Sequence, residues 1–204
     1  MTGRFVLATA NPDKATEIAA ILGDAGVDAE LLPRPDDVEP VAETGATLEE
    51  NARLKATALC AATGTAAIAD DTGLEVEALD GAPGVATARY AGDAASYVDN
   101  YTKLVGALDG LPLEARRARF VTVAVARWPD GVDVAAIGAV DGVITDAPRG
   151  EGGFGYDPVF VPLDGDGRTF AEMTSQEKHE RSHRGEAFRT LALALRAICE
   201  AEGR

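Results

Sequence analysis

Residues 117–128 alternate without a break. Arg117, Arg119, Val121, Val123 and Val125 fall on one side, and Ala118, Phe120, Thr122, Ala124 and Ala126 on the other. A period of two sustained this long requires extended backbone, because only a pleated strand sends successive side chains to opposite faces. Pro129-Asp130-Gly131 supplies a turn, and residues 132–140 read as a second long strand. The chain therefore builds part of its core on an antiparallel pair. Arg117 and Arg119 read as a solvated face rather than an anion site.

The remainder alternates short strands with helices. Residues 4–8 form a short apolar strand, followed by Asn11-Pro12, an N-cap residue and a proline at the first helical position. Ala15, Ile18, Ala19 and Leu22 then recur at helical spacing, and Gly23 or Gly26 ends the helix. Residues 29–32 suit a second strand, before a loop rich in proline and acids. Thr47 and Glu50 have the spacing of a capping box and open a helix that runs to about Thr63 and Gly64. Residues 66–69 predict a strand ending at Asp70-Asp71. Tyr97, Tyr101, Leu104, Val105 and Leu108 mark an amphipathic helix, residues 143–145 another strand, and Phe188, Leu191, Leu195 and Ile198 the face of a last helix. The fold class expected is α/β with a mixed, elongated central sheet and flanking helices in two lobes around a cleft, all within one domain spanning 1–204.

Lys and Arg number 19 against 34 Asp and Glu, a formal charge of −15. Such a chain lacks the broad basic face that duplex nucleic acid or an anionic membrane requires. A few local cations can still hold a small phosphorylated ligand, since distant charge is screened. No charged leader segment precedes the first strand, and no apolar run reaches the roughly 18 residues of a membrane span, so a cytoplasmic protein is expected. Cys60 and Cys199, each in a predicted helix, read as buried reduced thiols. Two histidines and two distant cysteines argue against zinc.

Four constellations carry candidate chemistry. Thr9-Ala10-Asn11-Pro12-Asp13-Lys14 joins a strand to a helix. Helix-start N–H groups, a hydroxyl and a lysine there make either a phosphate seat or a plain capped helix with a solvated lysine. Asp70-Asp71-Thr72-Gly73 places two carboxylates at the end of an apolar strand, suited to Mg²⁺ or to a simple Asp-Thr-Gly turn. Gly150–Asp157 packs glycines around Phe154 and Tyr156. Such a segment lets backbone and ring approach a flat ligand, or forms a bulged turn with Phe154 in the core. Lys178 and then His183-Arg184 offer donors near the start of the last helix, or an exposed cap.

Five ordered blocks, LATANPDK at 7–14, ETGATLEENARLKA at 43–56, ADDTGLEVEALDGAPGVATARYAG at 69–92, GEGGFGYDPVF at 150–160 and EKHERSHRGEA at 177–187, together resemble the inosine triphosphate pyrophosphatase family over nearly the whole chain. The resemblance implies hydrolysis of non-standard purine nucleoside triphosphates to the monophosphate and pyrophosphate, with Mg²⁺ required. By the same similarity, Thr9, Asn11 and Lys14, within the segment that also holds Ala10, Pro12 and Asp13, would hold the triphosphate with Lys55. Asp71 would position Mg²⁺ and activate water, Glu43 would be a second metal carboxylate, and Asp70 and Thr72 would flank them. Phe154 would stack on the base, Gly155, Tyr156 and Asp157 would complete that wall, and Lys178, His183 and Arg184 would read the 6-oxo group. A homodimer is implied as well. Ala10 and Thr72 depart from the family's more frequent glycine and serine, and Asp13 beside the phosphate lysine is unexpected. The rivals are a Maf-like pyrophosphatase acting on other nucleotides and a catalytically silent purine-nucleotide-binding protein.

Overall fold

The N-cap read at Asn11 and the capping box read at Thr47 both form. Asn11 accepts from the backbone N–H of Asp13 and Lys14, and Thr47 and Glu50 exchange side-chain and backbone hydrogen bonds. The computed structural model describes residues 3–202, with side chains as far as residue 198, so the Cys199 thiol lies outside the described residues. Strand β1 is Gly3–Leu7, β2 Ala29–Leu32, β3 Ala66–Val76, β4 Pro83–Gly84, β5 Arg117–Arg127, β6 Asp133–Ile144 and β7 Phe160–Pro162. Helix α1 is Pro12–Asp24, α2 Leu48–Thr63, α3 Tyr97–Ala107, α4 Ser175–Arg181 and α5 His183–Glu202. The strands form one mixed sheet in the order β2-β1-β3-β5-β6-β7, with β4 pairing with β3. β1 runs parallel to β2 and β3, and β3–β4 and β6–β7 are antiparallel. The protein is therefore an α/β fold on a mixed sheet. None of its described helices is long and apolar enough to cross a membrane.

Two compact units emerge, one of residues 3–71, 122–138 and 184–202, the other of 72–121 and 139–183. In the first unit, Phe5, Leu7, Ile68, Ala124 and Ala126 pack with Ile18, Ile21 and Leu22 of α1 and Phe188, Leu191 and Leu195 of α5. The intervening strand residues serve other clusters: Ala69, Val123 and Val125 pack with Ala52 and Ala56 of α2, and Val6 and Ala67 with Leu59 and Cys60. The period of two thus turns odd and even positions of β3 toward different helices. In the second unit, Leu74, Val76, Leu104, Leu108, Phe120, Ile144, Tyr156, Phe160 and Phe170 form a core rich in rings, with Phe120 and Phe160 centroids 4.7 Å apart.

Two boundaries differ from expectation. The strand expected to stop at Asp70-Asp71 continues to Val76, so Asp71-Thr72-Gly73 is extended backbone and not a turn. Its second half gains partners from later in the chain: Leu74 and Glu75 pair with Gly84 and Pro83, and the Leu74 N–H donates to Thr87 Oγ1 at 2.8 Å. Similarly, the two strands expected at 132–140 and 143–145 merge into the single strand β6, Asp133–Ile144, which passes through Gly142. A Cβ there would meet the Phe160 ring at 2.3 Å, so glycine is what lets β7 lie alongside.

Candidate active site

At the N-terminus of α1, the backbone N–H of Asn11 donates to Thr9 Oγ1 at 3.1 Å, and its side chain in turn caps the helix. Ala10, Pro12 and Asp13 are exposed around this turn. Asp13 in the first turn complements the helix dipole rather than opposing it. A cavity of about 540 Å³ adjoins Thr9, Ala10, Asn11 and Pro12 on the side of the Pro33–Pro40 loop, but Lys14, Lys55 and Asp71 do not line it. The charged cluster lies elsewhere.

The alternation of β3 separates the two adjacent carboxylates. Asp70, in phase with Ile68, meets α1 and α5: Lys14 Nζ lies 3.1 Å from its Oδ2, and Arg184 Nε and Nη2 each lie 3.4 Å away. Arg184 also donates to Glu17 Oε2 at 2.7 Å, and all three of Glu17, Asp70 and Arg184 are buried. Burial favours the neutral acid at Asp70, but Lys14 and Arg184 beside it prevail and hold its carboxyl well below the usual carboxylate range. Lys14 is shifted downward, first by burial and then by the charges of Arg184 and Lys55.

Asp71, in phase with Ala67 and Ala69, meets α2. Lys55 Nζ donates to its Oδ1 at 2.9 Å and to Glu43 Oε1 at 3.0 Å. Asn51, fully buried one helical turn earlier, donates to Asp71 Oδ2 at 3.3 Å. Burial pushes the Asp71 carboxyl up and the Glu43 charge adds to that, while Lys55 opposes both. Lys55 is raised, because Asp71, Asp70 and Glu43 outweigh the burial that would lower it. Glu43 and Asp71 form a hard-oxygen pair on one ammonium, which suits Mg²⁺, an ion that takes one or two carboxylates and completes its octahedron with water and phosphate. Among the described residues no three His, Cys, Asp or Glu gather as a closed metal cage.

The second unit carries a different cluster. Asp157 is buried, and its Oδ2 accepts from the Phe154 backbone N–H at 2.7 Å and from Lys178 Nζ at 2.7 Å. Gly153 makes this possible: its φ is +68°, and a Cβ would stand 2.1 Å from Asp157 Oδ2. Lys178 Nζ lies 4.5 Å from the centroid of the half-buried Phe154 ring, and Tyr97 of α3 lies 6.0 Å from it.

The other expected base-wall residues are distributed otherwise. Gly155 is half-buried at φ +64°. The Tyr156 side chain belongs to the core and donates its hydroxyl to the Thr87 carbonyl at 2.9 Å. His183 is buried and stacked on Phe120 at 4.4 Å. Arg184 keeps company with Asp70 and Glu17 of the first unit, as described. Thr72, half-buried on β3, is the first residue of the second unit.

Two participants escape a reading by motif: Glu17 and Asn51. Glu17 is an acid one residue before Ile18 on the apolar face of α1, three after Lys14. Asn51 directly precedes Ala52 of the Ala52–Ala56 stripe of α2, four before Lys55, and is as buried as they are. Each is a polar residue in an apolar phase, the one signal available in sequence.

The Ham1 family model matches residues 5–194. A dITP/XTP pyrophosphatase of Streptomyces coelicolor is 45% identical over 200 residues, covering 96% of this chain and 98% of its own. One from Yersinia pseudotuberculosis is 47% identical, with 95% and 98% covered. Among solved structures, a HAM1 protein from Coxiella burnetii superposes with a TM-score of 0.85 at 36% identity, over 96% of this chain and 100% of its own. The blocks around Lys14, Lys55 and Asp71 thus sit in a full-length match of both sequence and fold, and the chain belongs to the Ham1 family.

Proposed function

We propose that the protein hydrolyses non-standard purine nucleoside triphosphates (ITP, dITP and XTP) between the α- and β-phosphates, releasing the nucleoside monophosphate and pyrophosphate. The observation that carries this is the convergence of Lys55 on Asp71 and Glu43, with Lys14 on the neighbouring Asp70, in a member of this family. Displacement at phosphorus is catalysed mainly by positioning and charge neutralisation, which is what an array of fixed lysines and carboxylates provides. Mg²⁺, held by Asp71 and Glu43 when bound, would neutralise phosphate charge and help acidify water. Asp71 takes the proton from the attacking water as its oxygen bonds to the α-phosphorus. The bond from that phosphorus to the bridging oxygen breaks, and the electron pair leaves with pyrophosphate. Lys14 and Lys55, with the helix-start segment of Thr9, Ala10, Asn11, Pro12 and Asp13, hold the polyphosphate.

The base end is assigned to the second unit. Phe154 supplies a ring face, the backbone of Gly155, Tyr156 and Asp157 lies next to it, and Lys178, held by Asp157, donates to a 6-oxo oxygen. An adenine amino group would face that donor and leave it unpaired, at a cost of ~1–3 kcal/mol. Thr72 on β3 belongs to the same unit, whereas Arg184 is bound to Asp70 and Glu17 and His183 is stacked on Phe120, so neither of these two is assigned to the base. The whole chain, 1–204, acts as a single catalytic domain. We infer a cytoplasmic homodimer, with the exposed Ile137 of β6 offering an apolar contact at its interface.

Assay of ITP, XTP, ATP, GTP and pyrimidine triphosphates with and without Mg²⁺ tests the proposal. ITP and XTP should turn over fastest, yielding pyrophosphate and no orthophosphate. Release of orthophosphate alone rejects the bond assigned, and preference for a pyrimidine triphosphate favours the Maf-like alternative. Saturable binding with no product over hours means a silent binding protein. Size-exclusion chromatography with light scattering reads the dimer directly.

A further inference from the structure

We infer that Asn51 is a positioning residue, which turns the Asp71 carboxylate and locks it to the loop that bears Glu43. Its side-chain amide has two ends and two partners. The Gly45 backbone N–H lies 2.8 Å from Oδ1, and Asp71 Oδ2 lies 3.3 Å from Nδ2. A backbone N–H can only donate, so Gly45 fixes which end of the amide is oxygen, and the NH₂ end must then face Asp71. The amide cannot flip without setting oxygen against carboxylate on one side and N–H against NH₂ on the other. Asn51 is fully buried, so no solvent replaces either bond.

The consequence is geometric. Asp71 receives Lys55 on Oδ1 and Asn51 on Oδ2, which sets the rotation of its carboxylate plane. Gly45 lies two residues after Glu43, so the same amide also sets where that second carboxylate starts. Gly45 shows how tight the fit is. A Cβ there would lie 2.7 Å from Asn51 Oδ1, 2.7 Å from the Glu50 Cβ and 3.0 Å from the Asn51 backbone nitrogen. Asn51 and Lys55, one turn apart on α2, thus present a neutral donor and a charged donor to the two oxygens of one carboxylate. The inference rests on the catalytic role proposed for Asp71.

Asn51→Asp separates this role from simple support, because it keeps an acceptor for Gly45 and removes the donor to Asp71. At saturating Mg²⁺ its kcat for ITP should fall ~10–100-fold, with KM within about threefold of the parent. Hydrogen exchange at the Gly45 amide should stay as slow as in the parent. Asn51→Leu removes both bonds, so it should lose at least as much kcat and also speed Gly45 exchange. A kcat for Asn51→Asp within about threefold of the parent overturns the inference. So does a larger loss accompanied by faster Gly45 exchange, since Asn51 would then be only a strut for the loop. Should Asn51→Asp not fold, Gly45→Ala reads the same link from the loop side: it should lower kcat in a folded protein, and an unchanged kcat overturns the inference. Asp71→Asn, run alongside, isolates the premise. If it is fully active the role of Asp71 fails, whereas an inert Asp71→Asn beside an active Asn51→Asp defeats the inference alone.

Discussion

The two units handle charge in opposite ways. In the first, Lys14, Lys55 and Arg184 interleave with Glu17, Glu43, Asp70 and Asp71 around two neighbouring positions of one strand. In the second, the buried ion pair Lys178–Asp157 stands beside the Phe154 ring, which Tyr97 approaches, in a unit whose apolar core is rich in rings. The protein has few aromatics, 5% of the chain, and its described ring contacts fall mostly in the second unit. Fixed charges in a low-dielectric setting suit a polyanion whose charge redistributes during reaction. A ring and one oriented donor suit a flat, neutral base whose identity must be read. On the function proposed above, charge in the first unit governs rate and the ring and donor of the second govern selectivity, and substitutions should separate the two.

The largest effect is expected at Asp71. Asp71→Asn keeps the shape and removes the proton acceptor and metal carboxylate proposed above, so kcat for ITP should drop by ~10³-fold or more in a protein with an unchanged melting temperature. Next comes Lys14→Met, which removes the proposed phosphate donor and the Lys14 ion pair of Asp70. Steady-state kinetics should show kcat/KM down by ~10²-fold for every nucleotide alike, with the ITP-to-ATP ratio preserved. A collapse of that ratio would break the division of labour. Phe154→Leu should do the reverse: KM for ITP should rise by ~10-fold as base stacking is lost, kcat should hold, and discrimination against ATP should shrink.

The smallest effect is a stability effect far from the chemistry. Glu177, at the third position of α4, accepts from Arg168 and from the Thr174 N–H and hydroxyl. Arg168 first, and those capping bonds after it, hold its carboxyl down to about 2 from an ordinary 4.5. A value lower in the folded than in the unfolded state stabilises the fold fully above the unfolded value, and that contribution fades as pH falls through the folded one. Parent and Glu177→Gln should accordingly differ in urea midpoint at pH 7, converge between pH 4.5 and about 2, and coincide below that. A difference that persists below pH 2 would show that the glutamate acts through packing.

Much of this was legible along the chain, because it depends on neighbours in sequence. Asn11 with Pro12, Thr47 with Glu50 and Gly64 after α2 satisfy helix-end groups within a few residues, and those helices begin and end where local chemistry puts them. The clean alternation of β5 needs no partner to be recognised. The strand from Ala66 is different. Its own residues suggest a stop at the two aspartates, and it continues because β4 and Thr87 hold its second half. Pairing energy supplied from ten residues away leaves no mark on the paired segment.

The same distinction runs through the candidate site. That Asp70 and Asp71 point apart follows from strand geometry alone. Which helix each one meets does not: α1 with α5, and α2, are assigned by packing that joins residues over 100 positions apart, as between Asp70 and Arg184. Arg184 and His183 are adjacent in sequence, yet one donates to Glu17 and Asp70 while the other stacks on Phe120. Residue types and local caps belong to the chain, because short-range sterics and hydrogen bonding decide them. The partners of a buried charge belong to the tertiary structure, because desolvation is offset only by a counter-charge or acceptor that the fold brings within reach.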